Sequence, residues 1–158
     1  MFKPYLNVNR YQISLWAVII ICALSVFTAG VQAGDRVNTH VRVIHAAQGA
    51  RHIDAGLDDL AAELESVFRY TSYRLIQSKG MMLGYNEKGR VGLPGKRMLV
   101  VSPTSIDGQR IQYRITIHKG KKQVFQTQVL LKNRSSITIG GPQFKKGYLL
   151  FNISGRIN

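Results

Sequence analysis

Arg110-Ile111-Gln112-Tyr113-Arg114-Ile115-Thr116-Ile117-His118 alternates strictly between polar and apolar side chains, the period-two signature of a strand with one face buried. After Lys119-Gly120-Lys121 the alternation resumes, with Phe125, Thr127, Val129 and Leu131 on one side. A three-residue loop over 119–121 sets Ile115 opposite Phe125, Tyr113 opposite Thr127 and Ile111 opposite Val129. Both apolar sets then fall on the same face, so one register satisfies both strands. Residues 109–132 therefore read as a long hairpin around which the rest of the chain is organised.

Beyond the hairpin, residues 136–139 and 148–154 read as two more strands, separated by Gly140-Gly141-Pro142 and Lys145-Lys146-Gly147. Before it, 98–101 is a short apolar strand, closed by 103–108 with Asp107-Gly108 as the turn into the hairpin. Leu93-Pro94-Gly95-Lys96 and Asn86-Glu87-Lys88-Gly89 read as turns, 70–78 as β-rich with a continuation at 81–83, and 41–46 as a strand. One segment has helical periodicity. Leu57, Leu60, Ala61, Leu64, Val67 and Phe68 fall within one arc, and Asp58, Asp59, Glu63, Glu65 and Arg69 lie opposite. Asp54 is placed to cap it, with Asp58 and Asp59 near the positive end of the dipole. The expected fold class is α+β: one amphipathic helix packed on an antiparallel β-sheet or small β-sandwich, with residues 34–158 as a single domain.

Residues 1–33 read as a signal peptide. Lys3 and Arg10 supply a basic start without acids, 13–29 is an apolar run, and Val31-Gln32-Ala33 suits cleavage before Gly34. An uncleaved inner-membrane anchor is the alternative, the run being at the lower length limit for a span. Ile19-Ile20-Ile21 before Cys22 does not resemble a lipoprotein cleavage box. Cys22 is the single cysteine, so the part after the leader holds together by packing alone.

The formal charge is +14, unevenly placed. Six of eight acids precede residue 66, whereas from Ser66 onward seventeen Lys and Arg face only Glu87 and Asp107. A cationic β portion favours anionic partners. The outward face of the hairpin carries Arg110, Arg114 and His118, about 13 Å apart at strand rise, and Lys119, Lys121 and Lys122 crown its tip. These six are the polyanion-binding candidates, with Lys122 expected opposite His118 and Gln126 opposite Arg114. A solvated, solubilising strand face is the plainer reading of the same residues.

Signals for catalysis are missing. His40, His45, His52 and His118 have no zinc-like spacing and no cysteine to complete a site. There is no nucleophile elbow, phosphate loop or dinucleotide fingerprint, and no metal or cofactor is implied. Asp58 and Asp59 are adjacent, so on a helix they diverge. Ile137-Thr138-Ile139-Gly140-Gly141 resembles the strand-plus-Gly-Gly phrase of secretin pore domains in bacterial secretion and pilus machines. It covers five residues, Pro142 departs from the apolar residue usual there, and it licenses no pore.

The reading that follows is an exported, non-catalytic structural or interaction protein of the bacterial envelope or a secreted assembly, partnered by another envelope or secreted protein. It would be periplasmic, outer-membrane associated or extracellular, with a homo-oligomer open to it. The alternative is a binding module for anionic polysaccharide, lipopolysaccharide or a lipid surface through residues 109–132; nucleic acid is not expected in such a compartment. A hydrolase without a recognisable motif is the third reading.

Overall fold

Alternating burial runs through nearly every strand of the computed structural model, which describes residues 36–158. The expected signal segment, 1–33, lies outside the described residues. The elements are β1 (Val37–Ala47), β2 (His52–Ile53), a 3₁₀ segment (Ala55–Leu60) running into α1 (Ala61–Val67), β3 (Ser72–Leu83), β4 (Gly89–Leu93), β5 (Arg97–Asp107), β6 (Arg110–Lys119), β7 (Lys122–Lys132), β8 (Ser135–Phe144) and β9 (Gly147–Ile157). They form a five-stranded sheet, sheet A, ordered β2-β3-β1-β9-β8, and a four-stranded sheet, sheet B, ordered β4-β5-β6-β7. Only the short β2–β3 pair is parallel.

The two sheets face each other across the main core. Sheet A contributes Val37, Val41, Val43, Leu149, Phe151 and Ile153; sheet B contributes Val91, Leu99, Val101, Ile111, Tyr113, Ile115 and Ile117. One polar bond crosses this interior: the Tyr113 hydroxyl lies 2.8 Å from Thr39 Oγ1, both residues being fully buried. Gly155 makes room for it, since a Cβ there would stand 2.6 Å from that hydroxyl. Successive residues on a strand point to opposite faces, so the central strands of sheet A bury both. Ile44, Ala46 and Leu150 accordingly join Tyr73 and Leu57, Leu60 and Leu64 in a second cluster under the helical segment.

These observations overturn the α+β expectation. Strands hold 67% of the described residues, and the helical segments total 13. The protein is mostly β, with two sheets packed on each other and a short helical segment over one of them. Thirteen residues, partly 3₁₀, cannot roof a five-stranded sheet, so the principal burial is sheet against sheet. Two details of the helical reading change with it. Val67 is 63% exposed, and Asp54 makes no side-chain cap. The Asp54 carboxylate instead accepts from the Leu75 backbone N–H at 2.7 Å and from the His52 ring, also at 2.7 Å, pinning the start of the segment to β3.

The hairpin is present with its faces as read and its partners displaced. The loop is Gly120-Lys121 alone, Gly120 taking a positive φ of 60°, and an irregularity follows between Ile117 and His118. Ile117 therefore faces Phe125, Ile115 faces Thr127, Tyr113 faces Val129 and Ile111 faces Leu131. A tight two-residue turn followed by a bulge slides the register by two, which preserves the parity of every side chain. β4, whose ends Gly89 and Leu93 read as turn and whose residues 90–92 carry no assignment from sequence, is a five-residue strand on β5.

Tyr113 sets a testable pH dependence. Burial pushes its hydroxyl up to about 12 from the ordinary 10.0. Its contribution is complete below pH 10. Above that the unfolded chain loses the proton while the folded chain keeps it, so stability falls by about 1.4 kcal/mol per pH unit toward pH 12. Tyr113→Phe leaves Thr39 Oγ1 only its long 3.5 Å bond to the Val37 carbonyl and should cost about 1–3 kcal/mol at neutral pH. Urea unfolding of both proteins at pH 8 and pH 11 should show that gap narrowing at the higher pH.

Candidate functional site

The outer face of sheet B is a polar, cationic groove of about 680 Å³. Its floor is laid by cross-strand rows. Arg90, Val100, Thr116 and Gln126 stand abreast on β4 to β7; Met98, His118 and Gln123 form the next row, and Ser102 and Arg114 another. Lys88 and Asn86 close one side. These positions point outward because Leu99, Val101, Ile115 and Ile117 between them point into the core. Met98 and Val100 leave an apolar strip among the polar groups. No carboxylate lines the groove; nearby Glu87 is held by Arg36 at 3.2 Å and by the Gly84 backbone N–H.

Of the six residues singled out from sequence, the groove gathers Arg114 and His118 and leaves out the others. Arg110 sits at the far end of β6, opposite Asp107 and Lys132. Lys119 and Lys122 are a directly opposed pair closing the hairpin, with Lys121 in the loop beyond them. The displaced register also places Gln123 opposite His118 and Gln128 opposite Arg114. Lys88 and Arg90 were not anticipated. Alternation along Lys88-Gly89-Arg90-Val91 carried a weak signal, masked by glycines that read as turn.

A second polar surface lies on the outer face of sheet A. His40, Arg42, Asp59, Arg134, Ser135, Ser136, Ser154 and Arg156 surround it, and the His40 ring meets Ser78 Oγ at 2.7 Å. Desolvation and then Arg42 hold the His40 pKa below its ordinary 6.5, with Asp59 opposing. A neutral imidazole beside a hydroxyl is half of a nucleophilic pair. The orienting carboxylate is otherwise engaged, because Arg42 takes both Asp59 oxygens, at 2.6 and 2.8 Å. That bond is the main cause of the lowered Asp59 pKa. Asp59 stays exposed on the helical segment while the largely buried Arg42 reaches it from sheet A, so the pair reads as a tether. Arg51–Glu65 makes a similar tie at 2.8 Å. Among the described residues no three metal-ligating side chains converge, and no helix is long and apolar enough to cross a membrane.

No protein-family profile and no curated protein matches the chain. Among solved structures it is similar to the T2SS secretin XcpQ from Pseudomonas aeruginosa, at 9% identity and a TM-score of 0.44. The match covers 93% of this chain and 63% of that one, so the chain spans less than two thirds of the secretin. At that score the likeness carries no functional argument.

The signs at His40 are checkable. Its NMR titration midpoint should lie below that of an exposed histidine. Arg42→Ala should raise it, and Asp59→Asn should lower it further.

Proposed function

We propose that the protein is an exported, non-catalytic binding module that holds an extended anionic chain along the outer face of sheet B. The observation carrying this is the convergence of Lys88, Arg90, Arg114 and His118 in one groove without an acid. Amides and hydroxyls from Asn86, Ser102, Thr116, Gln123 and Gln126 stand among them. Fixed cations alternating with neutral donors and acceptors suit an acidic polysaccharide, whose charges are spaced by hydroxyl-bearing rings. The apolar strip at Met98 and Val100 offers a surface for ring faces. Base stacking has no platform, since Tyr113 points into the core and Phe125 lies on the core-facing side of β7. Export rests on the reading of residues 1–33, and the absence of enzymatic activity on the missing catalytic constellation.

Heparin serves as the probe. Lys88→Ala/Arg90→Ala/Arg114→Ala in the full chain should flatten the log–log salt dependence of binding by about two to three units, one counterion term per lost contact. Its melting temperature should stay within a few degrees, because exposed charges add little stability. Lys119→Ala/Lys121→Ala/Lys122→Ala tests the hairpin tip, and Lys132→Ala/Lys145→Ala/Lys146→Ala tests bulk charge. Equal loss from all three triples would reduce the binding to net charge and remove the groove as a site.

A further inference from the structure

The four sheet edges are built differently. β2 has two residues and covers only Ser72 and Tyr73 of β3, whose remaining edge is broken by Arg74, Lys79 and Gly80; β4 has five. β8 carries Pro142 and an irregularity between Gly140 and Gln143; shortness, proline and bulges all blunt an edge. β7 has eleven residues, pairs with β6 on one side, and among the described residues has no strand on the other. From Gln123 to Leu131 it reads Gln-Val-Phe-Gln-Thr-Gln-Val-Leu-Leu, with no charge, proline or glycine. Val124, Phe125 and Leu130 are 48%, 37% and 60% exposed. An edge of this kind is a template for another strand.

We propose that β7 pairs antiparallel with β7 of a second copy about a twofold axis through Thr127, joining two four-stranded sheets into one of eight. In that register Thr127 meets Thr127, Gln126 meets Gln128 and Phe125 meets Val129. Hydroxyl faces hydroxyl, amide faces amide, and an aromatic ring faces a β-branched side chain, the pair types that stabilise an antiparallel ladder. Residues directly opposite share a face, so the core-facing set of one copy continues that of the other. An axis one residue later would set Gln126 against Leu130 and Val124 against Lys132. The chosen register confines like charge to Lys122 and Lys132 at the ends of the strand.

The cleft beside β7 adds an apolar contribution. Ile117, Val124, Phe125 and Pro142, together with Arg97 and Lys119, line an open cleft of about 390 Å³. Val129 of the second copy falls beside Phe125 at its mouth. A twofold pairing occupies both free edges at once, so the assembly closes as a dimer. The dimer does not rest on the polymer reading: the groove's cations Lys88, Arg90, Arg114 and His118 lie off β7, which contributes only Gln123 and Gln126 to the groove's edge.

The test uses the full chain in detergent with Cys22→Ser. Cross-strand Cα separations of about 4.5–5.5 Å match disulfide geometry, whereas diagonal neighbours at about 7–8 Å do not. Gln126→Cys mixed with Gln128→Cys should therefore cross-link under diamide several-fold more than either variant alone. Gln126→Lys/Gln128→Lys sets lysines opposite lysines on exposed positions, so sedimentation should shift toward monomer at an unchanged melting temperature. Equal cross-linking in the mixture and the single variants would overturn the proposal. So would a wild-type chain that stays monomeric across the concentration series, or a lysine variant that remains dimeric.

Discussion

The structure depends on the burial of sheet B's inner face against sheet A, with β6 at its centre. Ile111, Tyr113, Ile115 and Ile117 are all essentially inaccessible to water. Fully burying one such side chain is worth about 1.5–3 kcal/mol, so this strand alone supplies a large part of the drive to bring the sheets together. The Tyr113–Thr39 bond adds directional information that apolar contact lacks. It forms only when β6 and β1 stand in one alignment, and Gly155 provides the space for it.

That same constraint decides what faces outward. Once the odd-numbered positions of β6 are committed to the core, Arg114, Thr116 and His118 have no choice of side. Neighbouring strands obey the same alternation, so polar groups from four separate strands meet on one surface. The groove is thus a by-product of core registration. Its chemistry depends on which residues occupy the alternate positions of β4 and β5, far apart in the chain from β6.

Local periodicity was readable where it was long and clean. β6 and β7, the facing of their side chains and the apolar stripe of Leu57, Leu60 and Leu64 follow from residues close in sequence. Pairings set by tertiary competition were not readable. The two-residue turn at Gly120-Lys121 won over a three-residue loop because a bulge at Val124 absorbs the extra residue. Asp59 is solvent-exposed, as its helical angle suggests, but its bond to Arg42 on β1 spans a separation in the chain that no local pattern encodes. The site was half legible for a similar reason. Arg114 and His118 lie on the hairpin, whereas Arg90 arrives from a strand disguised by Gly89 and Gly92, and Lys88 from the residue just before it.

The place of β1 has a temporal consequence. It lies between β3 and β9, so the first strand of the described chain is flanked by the last, with Val37 opposite Ile157 and Ala47 opposite Gly147. Until Gly147–Ile157 exists in the same space, β1 has one edge open and Val41 and Val43 lack Phe151 and Ile153 on the adjacent strand. Contacts of such long sequence separation form late, after the entropy of closing the intervening chain has been met. In a chain made from its N-terminus, sheet B can pair strand by strand as it appears, whereas sheet A and the core between the sheets close only once Gly147–Ile157 is available.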